Sequence, residues 1–236
     1  MTPRAFLILL AWTAVAGIQT PAVAAQAARP PWAGPGERLV YRLLWASTLP
    51  LGEAVLQASS SGTELRFAAT VEAELPQYNI RYSFSSTATE EGLCSLQFHQ
   101  KISEGGRNWE ESIEFDQRNR QAKRTRGGQT TTVSVPECAR DPLTFLYYYR
   151  NQLALGKPLD SGTVHLGKDL DIRFEPAGQG FESVGRRKFS VDRFRVTYAG
   201  NNRGRTFELW LTADATRRPA FVRAPLSLAV FLAELQ

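Results

Sequence analysis

The stretch that comes nearest to a known chemical device is Gly162 through Lys168, whose G-x-x-x-x-G-K spacing matches a loop that wraps backbone N–H groups around phosphates. Asp169 stands where a Ser or Thr must reach magnesium, and the flanks read as strand and turn where a helix has to begin, so the spacing is no nucleotide site. His99 and His165 both fall in strand-like segments and read as surface residues, with no H-E-x-x-H or C-x-x-C beside them. The G-x-S-x-G and S-x-x-K marks of serine hydrolases do not occur. Glu110, Ser112, Glu114 and Asp116 share one face of a strand. At about 3.3 Å per residue, Glu110 and Glu114 stand roughly 13 Å apart, too far for a glycosidase pair unless another strand supplies the partner. They read better as a solvated acidic face paired with the basic strand that follows.

The chain that must position these residues has 236 of them, 43% hydrophobic and 22% charged, enough for one sizeable core. Two His, two Cys and one Met make an imidazole or thiolate metal site improbable, and nothing in the sequence requires a cofactor. Met1 to Ala24 has the form of a secretory signal: Arg4 as the charged start, an apolar run from Ala5 to Ile18, and Ala22-Val23-Ala24 as the cleavage site. A membrane anchor would need about 20 apolar residues, and Gln19, Thr20 and Pro21 end the run early. Removing Arg4 leaves 27 basic against 23 acidic residues, a charge of +4. The expectation is a soluble periplasmic or secreted protein with an Ala/Pro-rich linker over 25–35, free of core residues, and a single β domain over 36–236. In an oxidising compartment Cys94 and Cys138 pair most simply as a disulfide.

Five cations, Arg118, Arg120, Lys123, Arg124 and Arg126, crowd into nine residues and form a candidate basic surface patch. A second cluster holds Arg186, Arg187 and Lys188, with Arg193 and Arg195 behind it. Export points such patches toward anionic membrane surfaces or an acidic envelope protein, not nucleic acid. The alternative is solvated hairpin tips and an edge strand protected by charge.

Strict two-residue alternation runs from Thr63 to Leu75 and recurs around Ile80–Ser86, Cys94–Ile102 and Trp109–Phe115, with Glu104-Gly105-Gly106 as a turn. Glu37–Ala46 and Ala54–Ser59 form a pair upstream. Thr130–Val135, Thr163–Leu166, Leu170–Phe174, Phe189–Tyr198, Thr206–Thr212 and Ala220–Arg223 continue the series downstream. Leu226–Leu235 is read as a further strand beside the start of the sheet. About a dozen strands in succession predict a mainly β protein, an antiparallel meander curved into a barrel, half-barrel or sandwich. One helix is expected over about 141–152, with Asp141 as cap and Pro142 at the first helical position. Leu143, Leu146, Tyr147 and Arg150 recur on it at helical spacing, widened by Phe145, Tyr148 and Tyr149, so the helix should plug an open end or lie in the concavity. Arg150 is expected to meet an acid or the helix's own carbonyl end. Asp214, Arg217 and Arg218 belong to a turn that ends in Pro219.

Asp141-Pro142-Leu143-Thr144-Phe145-Leu146-Tyr147-Tyr148-Tyr149-Arg150 and the segment from Phe207-Glu208-Leu209-Trp210-Leu211-Thr212-Ala213-Asp214 to Arg218-Pro219 resemble the most recognisable parts of a bacterial envelope family, domain of unknown function 3108. Gly36 to Tyr41, the Leu51-Gly52-Glu53-Ala54 turn and Ala233-Glu234-Leu235 are similar to it too, so the likeness spans about Gly36 to Leu235. It implies an exported antiparallel β domain with no assigned reaction, and no functional residue carries over. A plan similar to periplasmic lipoprotein carriers is an analogy of fold.

The sequence therefore points to a noncatalytic envelope protein whose sheet and helix enclose an apolar groove for a lipid or other amphipathic ligand. Tyr147, Arg150 and Trp210 are its candidate contacts. A structural or docking module with a filled interior is the alternative, and a polysaccharide hydrolase a weaker third.

Overall fold

The computed structural model describes Trp32 and residues 36–46, 48–75, 78–184, 187–200, 203–225 and 230–236. The expected leader lies outside these residues, as do the linker apart from Trp32 and the 226–229 start of the last expected strand.

The alternating segments form two consecutive meanders. The first comprises β1 (Glu37–Trp45), β2 (Leu49–Ser61), β3 (Glu64–Leu75), β4 (Tyr78–Thr89), β5 (Ser95–Glu104), β6 (Arg107–Asp116), β7 (Gln121–Arg126) and β8 (Gln129–Ser134). A helix, α1 (Pro142–Ala154), separates it from β9 (Ser161–His165), β10 (Asp169–Val184), β11 (Arg187–Gly200), β12 (Arg203–Thr212), β13 (Pro219–Pro225) and β14 (Val230–Leu235). The meanders join where the first and last strands pair, Tyr41 opposite Leu235 and Trp45 opposite Phe231. The result is one 14-stranded antiparallel sheet ordered β8 to β1, then β14 to β9. Its edges, β8 and β9, do not pair with each other, so the curved sheet remains open. β7, Gln-Ala-Lys-Arg-Thr-Arg, is the basic strand expected after the acidic face, although with only Ala122 apolar it carries no alternation.

In the first meander the odd strands start and the even strands end at one rim, which α1 spans, and the β9–β10 turn also lies against the helix entry, the His165 N–H donating to the Arg140 carbonyl at 2.8 Å. The N-terminus of α1 is fixed to Ser86 and Ser95, near the end of β4 and the start of β5. Its far end meets Glu37 at the start of β1 and Thr216 in the β12–β13 turn. The helix therefore closes one end of the curled sheet. Its two faces hold two cores: Leu143 and Tyr147 pack with Leu39, Leu65, Phe67 and Phe98 of the first meander, while Phe145, Tyr149 and Leu153 pack with Phe174, Phe194 and Leu209 of the second.

Asp141 anchors the start of the helix to the sheet. Its Oδ1 accepts from the backbone N–H groups of Leu143 (2.9 Å) and Thr144 (3.1 Å), as an N-cap should. Its Oδ2 accepts from the hydroxyls of Ser86 (2.6 Å), Ser95 (2.5 Å) and Thr144 (2.8 Å). Burial pushes this carboxyl above the ordinary Asp range, while the hydroxyl and backbone donors pull in the opposite direction. Just upstream, Cys94 and Cys138 form the expected disulfide across a sequence separation of 44, with their Cα atoms 4.6 Å apart. That bond ties the start of β5 to the segment entering the helix.

Trp32 corrects the reading of the linker as free of core residues. It is 3% exposed, with its ring 4.8 Å from Tyr147 and 5.7 Å from Phe67.

Candidate functional site

Between the helix and the opposite rim lies an apolar cavity of about 490 Å³. Its floor is a single helical stripe, Pro142, Phe145, Leu146 and Tyr149, at the i, i+3, i+4, i+7 spacing that places side chains on one face. Its walls come from both meanders: Leu56, Ala69 and Val71 on one side, and Ile172, Phe174, Val196, Tyr198, Phe207 and Leu209 on the other, with Phe231 and Ala233 along the seam. Small side chains leave the space. Ala54, Ala69 and Ala233 occupy inward positions where the strands above α1 would otherwise meet. Many wall residues away from the floor, among them Val71, Ile172, Tyr198, Phe207 and Phe231, are only half-buried, so the cavity communicates with solvent at the rim that α1 leaves open.

Few polar atoms enter it. The Tyr41 hydroxyl donates to the carbonyl of Pro219 at 2.9 Å. The Tyr149 hydroxyl is buried and has no hydrogen-bond partner among the described residues, while its ring stacks on Phe174 with centroids 3.7 Å apart. Burial raises both phenols well above the ordinary tyrosine value.

Tyr147, Arg150 and Trp210, the ligand contacts expected from the sequence, do not converge on this cavity as a group. Tyr147 and Arg150 lie on the helix face turned away from the cavity floor. Arg150 is 0% exposed and grips Glu37 in a fork, Nη1 to Oε2 at 2.7 Å and Nη2 to Oε1 at 2.8 Å, with Nη2 also donating to the Thr216 carbonyl at 2.9 Å. Tyr147 stacks on Phe67 at 4.3 Å and donates to Glu37 at 3.3 Å. Burial by itself would lower the guanidinium pKa of Arg150, but the hydrogen bonds and charge of Glu37 outweigh it and hold the value above normal. Trp210 lies on the opposite face of β12 from Leu209 and Leu211, with Arg193 over its ring at 4.8 Å and Phe221 at 5.1 Å. The signal for this was available, because Phe207, Leu209 and Leu211 share the inward phase and Trp210 has the other.

The basic cluster is largely neutralised. Arg120 pairs with Glu137 (3.0 Å), Lys123 with Glu114 (3.6 Å) and Arg124 with the buried Glu111 (2.7 Å). Arg126 lies 3.9 Å from Glu111 and covers the Trp109 ring. Arg118 sits near Asp116, whose carboxyl is held below its usual value chiefly by hydrogen bonds from Asn119. The acidic face and following basic strand thus pair across β6 and β7, as the sequence suggested for Glu114.

The phosphate-loop lookalike has structural reasons for both glycines. A Cβ at Gly162 would fall 2.6 Å from the Phe145 ring, and Gly167 turns the chain at φ +67° against the Arg124 side chain. His165 is buried, contrary to its surface reading. Its Nδ1 lies 2.7 Å from Asp169 Oδ1, and the Phe115 ring stands edge-on at 5.8 Å. His99 does face outward, 2.7 Å from Glu110. It lines a second, shallower depression of about 590 Å³ along β1–β5, with Arg38, Gln57, Arg66, Ser85 and Gln97. No group of three or more metal-ligating side chains occurs among the described residues.

Fold and cavity together define a barrel-like protein made of one unclosed antiparallel sheet, hollow within and sealed at one end by a helix. The chain belongs to the DUF3108 family of proteins of unknown function, whose profile matches residues 40–236. No curated protein matches it. Among solved structures, it is similar to a β-barrel-like protein of the domain of unknown function DUF1849 from Brucella abortus, with TM-score 0.58, 12% identity, and 84% of this chain and 94% of that chain covered. Two weaker likenesses are to structures described as an exported protein with a YmcC-like fold from Bacteroides fragilis and a lipoprotein from Parabacteroides distasonis. Their TM-scores are 0.31 and 0.33, each at 8% identity with 84% of this chain and 92% of the other covered. No helix among the described residues is long and apolar enough to cross a membrane.

Proposed function

We propose that this protein is a noncatalytic binding module for a lipid or other amphipathic molecule, working outside the cytoplasm, with the ligand's hydrocarbon part inside the sheet. The observation that carries this reading is the hollow, almost wholly apolar interior of about 490 Å³, within the size range of small-molecule sites. A docking module would have used that volume for packing, because an unfilled apolar space forfeits contacts that a larger side chain at Ala69 or Ala233 could make. The leader-like first segment and the disulfide support a location outside the cytoplasm. The neutralised basic cluster gives less support to a charged docking face than its composition suggested.

The test is fluorescence enhancement of N-phenyl-1-naphthylamine by the purified protein, followed by displacement with n-alkanols of increasing length. Each methylene buried contributes about 0.8 kcal/mol, so affinity should rise roughly fourfold per carbon until the cavity is full. Ala69→Trp should abolish probe binding while the folded signal is retained. Absence of enhancement, or enhancement indifferent to Ala69→Trp, would refute the reading.

A further inference from the structure

We infer that the ligand carries a single anionic head on its hydrocarbon tail, enters tail first, and is held at the open rim by Arg205. This rests on the binding reading above and adds to it the ligand's polarity and orientation.

The argument begins with register. Residues directly opposite in an antiparallel pair share a face. Ile172 stands opposite Tyr198 in β10 and β11, and Tyr198 stands opposite Arg205 in β11 and β12. Ile172 and Tyr198 both line the cavity, so Arg205 occupies a cavity-side position. Along β12 the same phase reads Leu211 and Leu209, both buried, then Phe207, half-buried, then Arg205, exposed. The gradient runs from the helix-closed end to the open one, and its last member is a cation.

That cation is uncommitted. Three arginines flanking the cavity wall turn to the outer face and have acids: Arg42 meets Glu234 at 2.8 Å, Arg81 meets Glu72 at 3.3 Å and Arg223 meets Glu208 at 3.5 Å. Arg205 has neither an ion pair nor a side-chain hydrogen bond among the described residues. The cavity-lining Val71 and Phe231 on this side are apolar. A planar guanidinium next to an apolar shaft suits a carboxylate or phosphate that stays wet while its tail is dry. A neutral head would lack the charge-assisted part of that contact, and a cationic head would be repelled.

The experiment compares tetradecanoate, tetradecyl phosphate, tetradecanol and tetradecyltrimethylammonium, each below its micellar concentration, as displacers of N-phenyl-1-naphthylamine. The anions should displace the probe at about fivefold lower concentration than the alcohol, the upper range for an exposed ion pair, and the advantage should shrink with added salt. The ratio between the two anions tells a carboxylate from a phosphate head. Arg205→Gln should erase the anion advantage and leave the alcohol unchanged, while Arg223→Gln, on the other face, should alter neither. Equal displacement by anion and alcohol in the unsubstituted protein, or an advantage that survives Arg205→Gln, overturns this inference and leaves the cavity reading standing. Failure of the alcohol itself to displace the probe overturns both.

Discussion

Replacing Glu37 by Gln tests how the helix is held across the rim. The carboxylate receives both terminal nitrogens of Arg150, at 2.7 and 2.8 Å, and Arg150 is 0% exposed against 10% for the Glu37 side chain. Without the negative charge, the guanidinium keeps its bond to the Thr216 carbonyl but loses its counter-ion while fully buried. Removing one partner of a buried pair costs about 3–5 kcal/mol, which for a domain of this size lowers Tm by roughly 6–20 °C. Arg150→Met should cost less, because Glu37 lies nearer the surface and can draw in water. The double variant Glu37→Leu/Arg150→Met should recover at least half of the Glu37→Gln loss, since apolar replacements of buried pairs are often neutral. Urea unfolding followed by near-ultraviolet dichroism reads all three. A Glu37→Gln loss below about 1 kcal/mol is the value of a surface pair and would refute the claim that this contact fastens the helix.

Two further outcomes follow from the same packing. Cys94→Ser/Cys138→Ser should lose about 4 kcal/mol, the loop-closure entropy of the 44-residue separation; urea midpoints unchanged between oxidised and double-serine protein would contradict it. Tyr41, Tyr147 and Tyr149 are all raised by burial, so above pH 10 the unfolded chain releases protons that the folded chain keeps. Stability is therefore intact below pH 10 and falls above it, by up to about 4 kcal/mol per pH unit for three groups. Absorbance at 295 nm should show these three ionising together with loss of structure, and a reversible titration of all seven tyrosines near pH 10 in folded protein would exclude it.

Period-two alternation made most of the sheet legible, because one wet and one apolar face must recur at every second residue. It failed at β7, where Lys123 and Arg124 point to opposite faces and Arg124 is accommodated inside by Glu111. Asp141-Pro142 marked the helix start because a cap and a donor-free first position are local chemistry. The faces of that helix were not legible. Wrapped by sheet on several sides, it is apolar nearly all round, so the stripe through Phe145 and Tyr149 could not be separated from the one through Leu143 and Tyr147. Nor could Glu37 be named as the partner of Arg150, since 113 residues separate them and no local pattern links them. Arg205 was readable in principle, as the charged end of the Leu211, Leu209, Phe207 series, but only register shows that this series faces a hollow.

The pairing of β1 with β14 bears on how the polypeptide acquires its shape. Arg42 and Glu234, salt-bridged across that seam, are 192 positions apart, and bringing such distant segments together costs about 5 kcal/mol of chain entropy before any contact repays it. Each meander can zip up from its own hairpins, so the seam is the natural last event. Until the final strand arrives, β1 has a partner on one side only, and its other side offers an open row of backbone donors and acceptors. During biogenesis β1 is thus open to pairing with a wrong chain until the seam closes.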